Sequence, residues 1–233
     1  MNRGTAWRFG FLAAIALAAL PASLPAQTEP DHHAQVESNA SMARHSHLNN
    51  PHMKWTAERR QTADDQRRAE EVVTALRPAL EKYKEYRVAL DDGYRIFAPN
   101  VAQPEYHFTN YWNGFLNAFR FDPARPTSLL YRKTADGYEL VGAMYTASRL
   151  SDEDDLDERI PLSVGRWHQH VNICLPPRGT ERTADWTRFG PRGSIVAKTE
   201  CKEAGGRWRA HLFGWMVHVY PFESETARIW THR

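Results

Sequence analysis

Hydrophobic and polar positions change their rhythm twice along this chain. From Phe9 to Leu20 the residues are almost all apolar. From about Thr56 to Leu90, apolar positions recur near i, i+4 and i+7, with Val72, Val73, Leu76, Leu80 and Tyr83 on one face, so this span reads as an amphipathic helix. Thr62 followed by Asp64 and Asp65 is a helix start, because a hydroxyl and two carboxylates satisfy free N–H groups there. Pro78 should kink or split the helix, and Asp91-Asp92-Gly93 should end it.

After Gly93 the period shortens. Aromatic and β-branched residues rise, and Gly, Pro and Asn punctuate short runs. The pattern predicts strands at Tyr106–Thr109, Ser128–Lys133, Glu139–Ala147, His168–Ile173, Trp208–Phe213 and Trp215–Tyr220. Thr134-Ala135-Asp136-Gly137 predicts a hairpin turn. Asp152–Arg159 lacks the glycine and glutamate positions of a calcium-binding loop and reads as a solvated acidic loop. Thr199–Glu203 before Ala204-Gly205-Gly206 reads as a helical turn with a glycine stop. The fold class expected is a single α+β domain over residues 55–233, an N-terminal helical segment packed on a largely antiparallel sheet or small barrel.

The apolar N-terminal run has the layout of a secretory signal peptide over residues 1–26. Arg3 and Arg8 precede it, Pro21 ends it, and Ser23-Leu24-Pro25-Ala26 offers a small-residue cleavage site. Twelve residues of helix span about 18 Å, short of a bilayer core of about 30 Å. A periplasmic or extracellular location follows, with no membrane insertion after processing. Removing 26 residues from 233 leaves 207, enough for one cored domain. The whole chain has 30 basic and 28 acidic residues, and the leader takes two arginines away, so the processed balance is neutral. No basic patch interleaves with the aromatics, so nucleic acid is not an expected partner. The expected partner is a small molecule or a metal ion.

Residues 27–54 are polar and aperiodic, which predicts a disordered leader. It holds His32, His33, His45, His47 and His52, with Met42 and Met53 nearby, a tract able to capture copper, nickel or zinc loosely. Cys174 and Cys201 are the two cysteines. In an oxidising compartment they read as a disulfide closing about 27 residues, worth roughly 3–4 kcal/mol. Two thiolate ligands or a reactive thiol are the alternatives.

The candidate chemistry lies in three histidine-bearing segments. In Arg166-Trp167-His168-Gln169-His170-Val171-Asn172, a strand would point His168 and His170 to one face, about 7 Å apart. In Gly214-Trp215-Met216-Val217-His218-Val219-Tyr220, His218 would share a face with Met216 and Tyr220. His107 lies between aromatics in Tyr106-His107-Phe108. The predicted site is a transition metal ion (zinc, copper or iron) held by His168, His170 and His218. His107 would be a fourth ligand or the catalytic general base of a hydrolase or oxidoreductase. Separately satisfied structural histidines, in a non-catalytic envelope binding protein, are the alternative, and a metal carrier using the leader is a third. Glu200, Glu105, Tyr111, Asn110 and Arg166 are possible auxiliaries, while His211 and His232 read as surface residues. No G-x-S-x-G, phosphate-binding or dinucleotide-binding glycine pattern, or H-E-x-x-H occurs.

Asp92-Gly93-Tyr94, Tyr106-His107-Phe108-Thr109-Asn110, Phe121-Asp122-Pro123 with Leu130-Tyr131, Trp167-His168-Gln169-His170-Val171-Asn172 and Phe213-Gly214-Trp215-Met216-Val217-His218 together resemble an uncharacterised family of secreted bacterial proteins. The resemblance spans roughly residues 55–222 and implies export and a shared fold, without a reaction. The HxH pair also invites comparison with cupins. Their first motif places a glutamate three to five residues after the second histidine, where this chain has Asn172-Ile173-Cys174-Leu175.

Overall fold

The computed structural model describes residues 50–232. Among them are seven strands: β1 (Met53–Trp55), β2 (Arg95–Ile96), β3 (Tyr106–Thr109), β4 (Ser128–Lys133), β5 (Tyr138–Ala147), β6 (His168–Leu175) and β7 (Arg207–Val219). Six helices accompany them: α1 (Ala63–Leu80), α2 (Tyr86–Asp91), α3 (Tyr111–Asn117), α4 (Glu153–Arg159), α5 (Lys198–Glu203) and α6 (Thr226–Ile229). The strands form one antiparallel sheet in the order β1-β6-β7-β5-β4-β3-β2. It is an open sheet and not a closed barrel. No helix among the described residues is long and apolar enough to cross a membrane.

Helix α1 begins where its residues demand. The Thr62 side chain accepts from the Asp65 N–H, and the Asp65 carboxylate accepts from the Thr62 N–H, a reciprocal cap. Pro78 lies inside the last turn, and the break follows it: a 3₁₀ turn at Glu81–Lys84, then α2. Val72, Val73, Leu76 and Leu80 bury into one cluster with Tyr106, Phe108, Leu129, Tyr131, Tyr145, Trp167, Val217 and Val219. The strand residues among these share one face of the sheet, because side chains alternate, and Trp167 joins them from just before β6. His107, Leu130, Met144, His168, Met216 and His218 fall on the other face.

Four expectations shift. The acidic run is helix α4, with the Asp152 carboxylate accepting the Asp155 N–H and Leu156 buried beneath it. The two strands expected at 208–213 and 215–220 are one long strand, β7, interrupted by a bulge. Between the pairs His168↔Met216 and His170↔Leu212, β7 advances four residues while β6 advances two. Phe213, with φ of 73°, takes up the excess, and a side chain on Gly214 would strike the Ala147 carbonyl. Met53 and Lys54, placed in the leader by composition, belong to β1 and pair with β6. His52 is buried just before it, its ring nitrogens 2.9 Å from the Asn172 carbonyl and 2.7 Å from the Gly193 carbonyl. Residues 1–49, which hold the expected signal peptide and the other leader histidines, lie outside the described residues.

The cysteines form the Cys174–Cys201 disulfide. It ties the end of β6 to α5, over which Phe189 and Ile195 pack. Gly206 passes so close that a side chain there would collide with both sulfurs. The disulfide is compatible with an oxidising compartment.

Candidate metal centre

Neighbouring strands stand about 4.8 Å apart, so β3 and β7, separated by β5 and β4, would lie about 14 Å apart in a flat sheet. Yet Nε2 of His107 on β3 lies 3.5 Å from Nε2 of His218 on β7. The sheet therefore curls toward its histidine-bearing face. Two irregularities assist the curl: a register shift at Leu130/Tyr131 in β4 and the β7 bulge opposite His168 and His170. Gly142 lies on the crowded side of this curl, where a β-carbon would press on Tyr220 at 2.9 Å.

Inside the curl five imidazoles gather. His168 has ring-centre distances of 5.3 Å to His218, 5.6 Å to His170 and 4.6 Å to His232. His218 lies 5.5 Å from His107 and stacks on His232 at 4.9 Å. One nitrogen from each of His168, His218 and His232 falls within 4.8 Å of the others. A tetrahedral ion with metal–nitrogen bonds near 2.0–2.1 Å holds its ligands about 3.4 Å apart. Small side-chain rotations would bring three of these rings onto one ion. The 3.5 Å separation of His107 and His218 already matches such an edge.

The electrostatics favour neutral imidazoles. His168 and His218 are buried, and desolvation drives both rings well below the ordinary imidazole range, with the neighbouring histidines adding to the shift. His107 and His170 keep some exposure, yet burial pushes each to about 4. For His107 a hydrogen bond to the Glu105 backbone opposes that shift. Neutral imidazole is the metal-binding form. Both ring nitrogens of His168 are buried with no hydrogen-bond partner, and so are Nδ1 of His170 and Nδ1 of His218. A neutral imidazole always carries one N–H donor and one lone pair, and a buried group left unmet costs about 1–3 kcal/mol.

The expected ligands His168, His170, His218 and His107 thus come to one place, but the tightest three-ring set includes His232 in place of His170. His232 had been read as a surface residue. The chain returns it to the sheet through α6, whose Ile229 carbonyl accepts the Tyr220 N–H at 2.7 Å, while Trp230 packs on the core cluster. The apolar pair Ile229-Trp230 was the available signal that the tail docks. His211 is exposed, as expected.

The auxiliaries sort differently. Glu105 accepts a 2.7 Å hydrogen bond from the Tyr220 hydroxyl, which positions a carboxylate near His107 in the chain. Arg166 lies over the Trp55 ring at 5.4 Å, and Trp55 packs on His168 and His232 at 5.0 and 5.3 Å. Arg166 and Trp55 thus support the rings from outside. Asn110 caps α3 through the Trp112 and Asn113 N–H groups, Tyr111 is exposed, and Glu200 is exposed on α5. Compared with models of known protein families, with curated proteins and with solved structures, the chain matches none.

Proposed function

We propose that this protein binds a transition metal ion within the curl of its sheet, through His168, His218 and His232, with His107 completing the set. The observation that carries this reading is His168: a fully buried imidazole whose two nitrogens have no hydrogen-bond partner, surrounded by other imidazoles. A structural histidine would donate to a backbone carbonyl, as the buried His52 can. Four imidazoles saturate a tetrahedral ion, which favours holding or transferring the metal over hydrolysis at an open position. His107 then acts as a ligand and not as a general base. The signal-like N-terminus and the Cys174–Cys201 disulfide support action outside the cytoplasm.

Elemental analysis of protein purified without a histidine tag tests the proposal. Wild type should carry or take up about one ion per chain. His168→Leu and His218→Leu should lose it. Wild type that takes up no metal on reconstitution would overturn the reading. A chain lacking residues 27–49 should keep the ion; loss of all metal in that variant would move the function to the leader.

A further inference from the structure

We infer that the centre is built for a soft ion, cuprous copper, with methionine thioethers beside the imidazoles. This deepens the metal reading above and rests on it. The chain has five methionines, and Met53, Met144 and Met216 lie among the described residues. Each stands directly across the ladder from a histidine of the cluster: Met53 from His170, Met216 from His168, and Met144 from His218. Directly opposed residues of an antiparallel pair share a face, with β-carbons about 4.5–5.5 Å apart. All three thioethers are therefore delivered to the histidine side of the sheet.

Met144 and Met216 are buried in one cluster with Leu130 and Tyr220, each paired across the ladder with a histidine of the centre. Thioether side chains have three rotatable bonds, so their sulfurs can turn toward an ion. The surrounding chemistry points the same way. Both cysteines are taken by the disulfide, and the converging set holds histidines without a carboxylate. Imidazole with thioether is a donor set for Cu(I); calcium, magnesium and manganese prefer oxygen. Both donor types are neutral, so a monovalent ion brings little charge into a buried site, whereas a divalent ion brings twice as much.

Anaerobic competition with a chromophoric Cu(I) chelator, beside a Zn(II) titration, tests the inference on the full chain. Met144→Leu/Met216→Leu conserves volume and apolarity. In that variant Cu(I) affinity should fall by roughly tenfold or more while Zn(II) affinity stays put. Unchanged Cu(I) affinity, with metal binding otherwise intact, would overturn the thioether inference and leave the histidine centre standing. Wild type that binds neither ion would remove the centre itself. X-ray absorption on Cu(I)-loaded wild type gives a second readout independent of the variant's folding. A copper–sulfur shell is expected, and a nitrogen-only shell overturns the inference.

Discussion

The two faces of the sheet treat buried polar atoms in opposite ways. On the face under α1 three buried tyrosines find acceptors. The Tyr131 hydroxyl donates to the Tyr83 carbonyl at 2.7 Å, Tyr145 to the Pro123 carbonyl at 2.7 Å, and Tyr94 to the Pro126 carbonyl at 3.2 Å. Even the Trp215 indole N–H reaches the Ser151 carbonyl at 3.2 Å. On the curled face, imidazoles of His168, His170 and His218 keep nitrogens without partners. The chain can evidently satisfy buried donors, and on one face it does. Leaving several unmet on the other, at about 1–3 kcal/mol each, is a cost to stability that a bound cation would reverse.

The largest contrast should come from pH, because the faces carry opposite shifts. For the imidazoles the folded pKa lies below the unfolded value of 6.5, reaching about 4 for His107 and His170. The folded state therefore binds fewer protons between those limits, and stability rises with pH through that window. It is fully present above about 6.5 and is lost as pH falls toward 4. The core tyrosines show the reverse. Burial raises Tyr94, Tyr131 and Tyr145 above their ordinary value of 10, so their contribution is present below 10 and is lost above it. Thermal melts of metal-free protein should show falling Tm on both sides, with the acid limb beginning near pH 6.5. Each unit of depression is worth about 1.4 kcal/mol, and several rings act together. Metal-loaded protein should hold its Tm further into acid, since the ion competes with protons for the same lone pairs. A metal-free melt flat between pH 7 and 5 would mean that the imidazoles are already matched.

A pair of substitutions should separate the faces next. Leu76 is fully buried under α1, and Leu76→Ala should cost about 2–5 kcal/mol in urea unfolding with metal stoichiometry unchanged. His168→Leu should do the opposite. It removes unmet polar atoms at nearly constant volume, so metal-free stability should be equal or higher while the ion is lost. If His168→Leu destabilises as strongly as Leu76→Ala, His168 belongs to the core and not to a site.

Much of this contrast was legible from period alone. Alternation put His168 with His170 and Met216 with His218, and the helical spacing of Val72, Leu76 and Leu80 marked the apolar face. The Cys174–Cys201 pairing followed from compartment and count. What period could not carry is the curl. Bringing β3 to β7 depends on the register shift at Leu130 and the bulge at Phe213-Gly214, features of pairing between strands. Gly214 looked like a gap between two strands because a bulge and a strand end use the same residue. The acidic run failed for a related reason: Asp152 reads equally as loop or as helix cap until Leu156 has a core to enter. His232 needed the tail's docking, which a two-residue apolar signal barely announces. His52 was grouped with a leader by composition, although its ring is held between two distant carbonyls.

The smallest expected effect tests whether the faces are independent. Thr62→Ala removes the side-chain acceptor at the start of α1 and should cost about 1 kcal/mol. Part of the reciprocal cap survives, because the Asp65 carboxylate still accepts the Thr62 N–H at 3.0 Å and the Ser163 hydroxyl at 2.9 Å. Those contacts, led by the one to the Thr62 backbone, hold Asp65 below the usual carboxylate range, so the cap weakens in acid along with the histidines. Helix α1 packs its apolar residues on the face opposite the rings, and the cap shares no hydrogen-bond partner with them. Changes at sites more than about 7–10 Å apart with no common contacts add to within about 0.5 kcal/mol. The double variant Thr62→Ala/His168→Leu should therefore show the sum of the two single effects, and Thr62→Ala alone should leave metal affinity untouched. A shift in metal affinity would mean that α1 and the curled face move together, making the helix part of the machinery that opens or closes the centre.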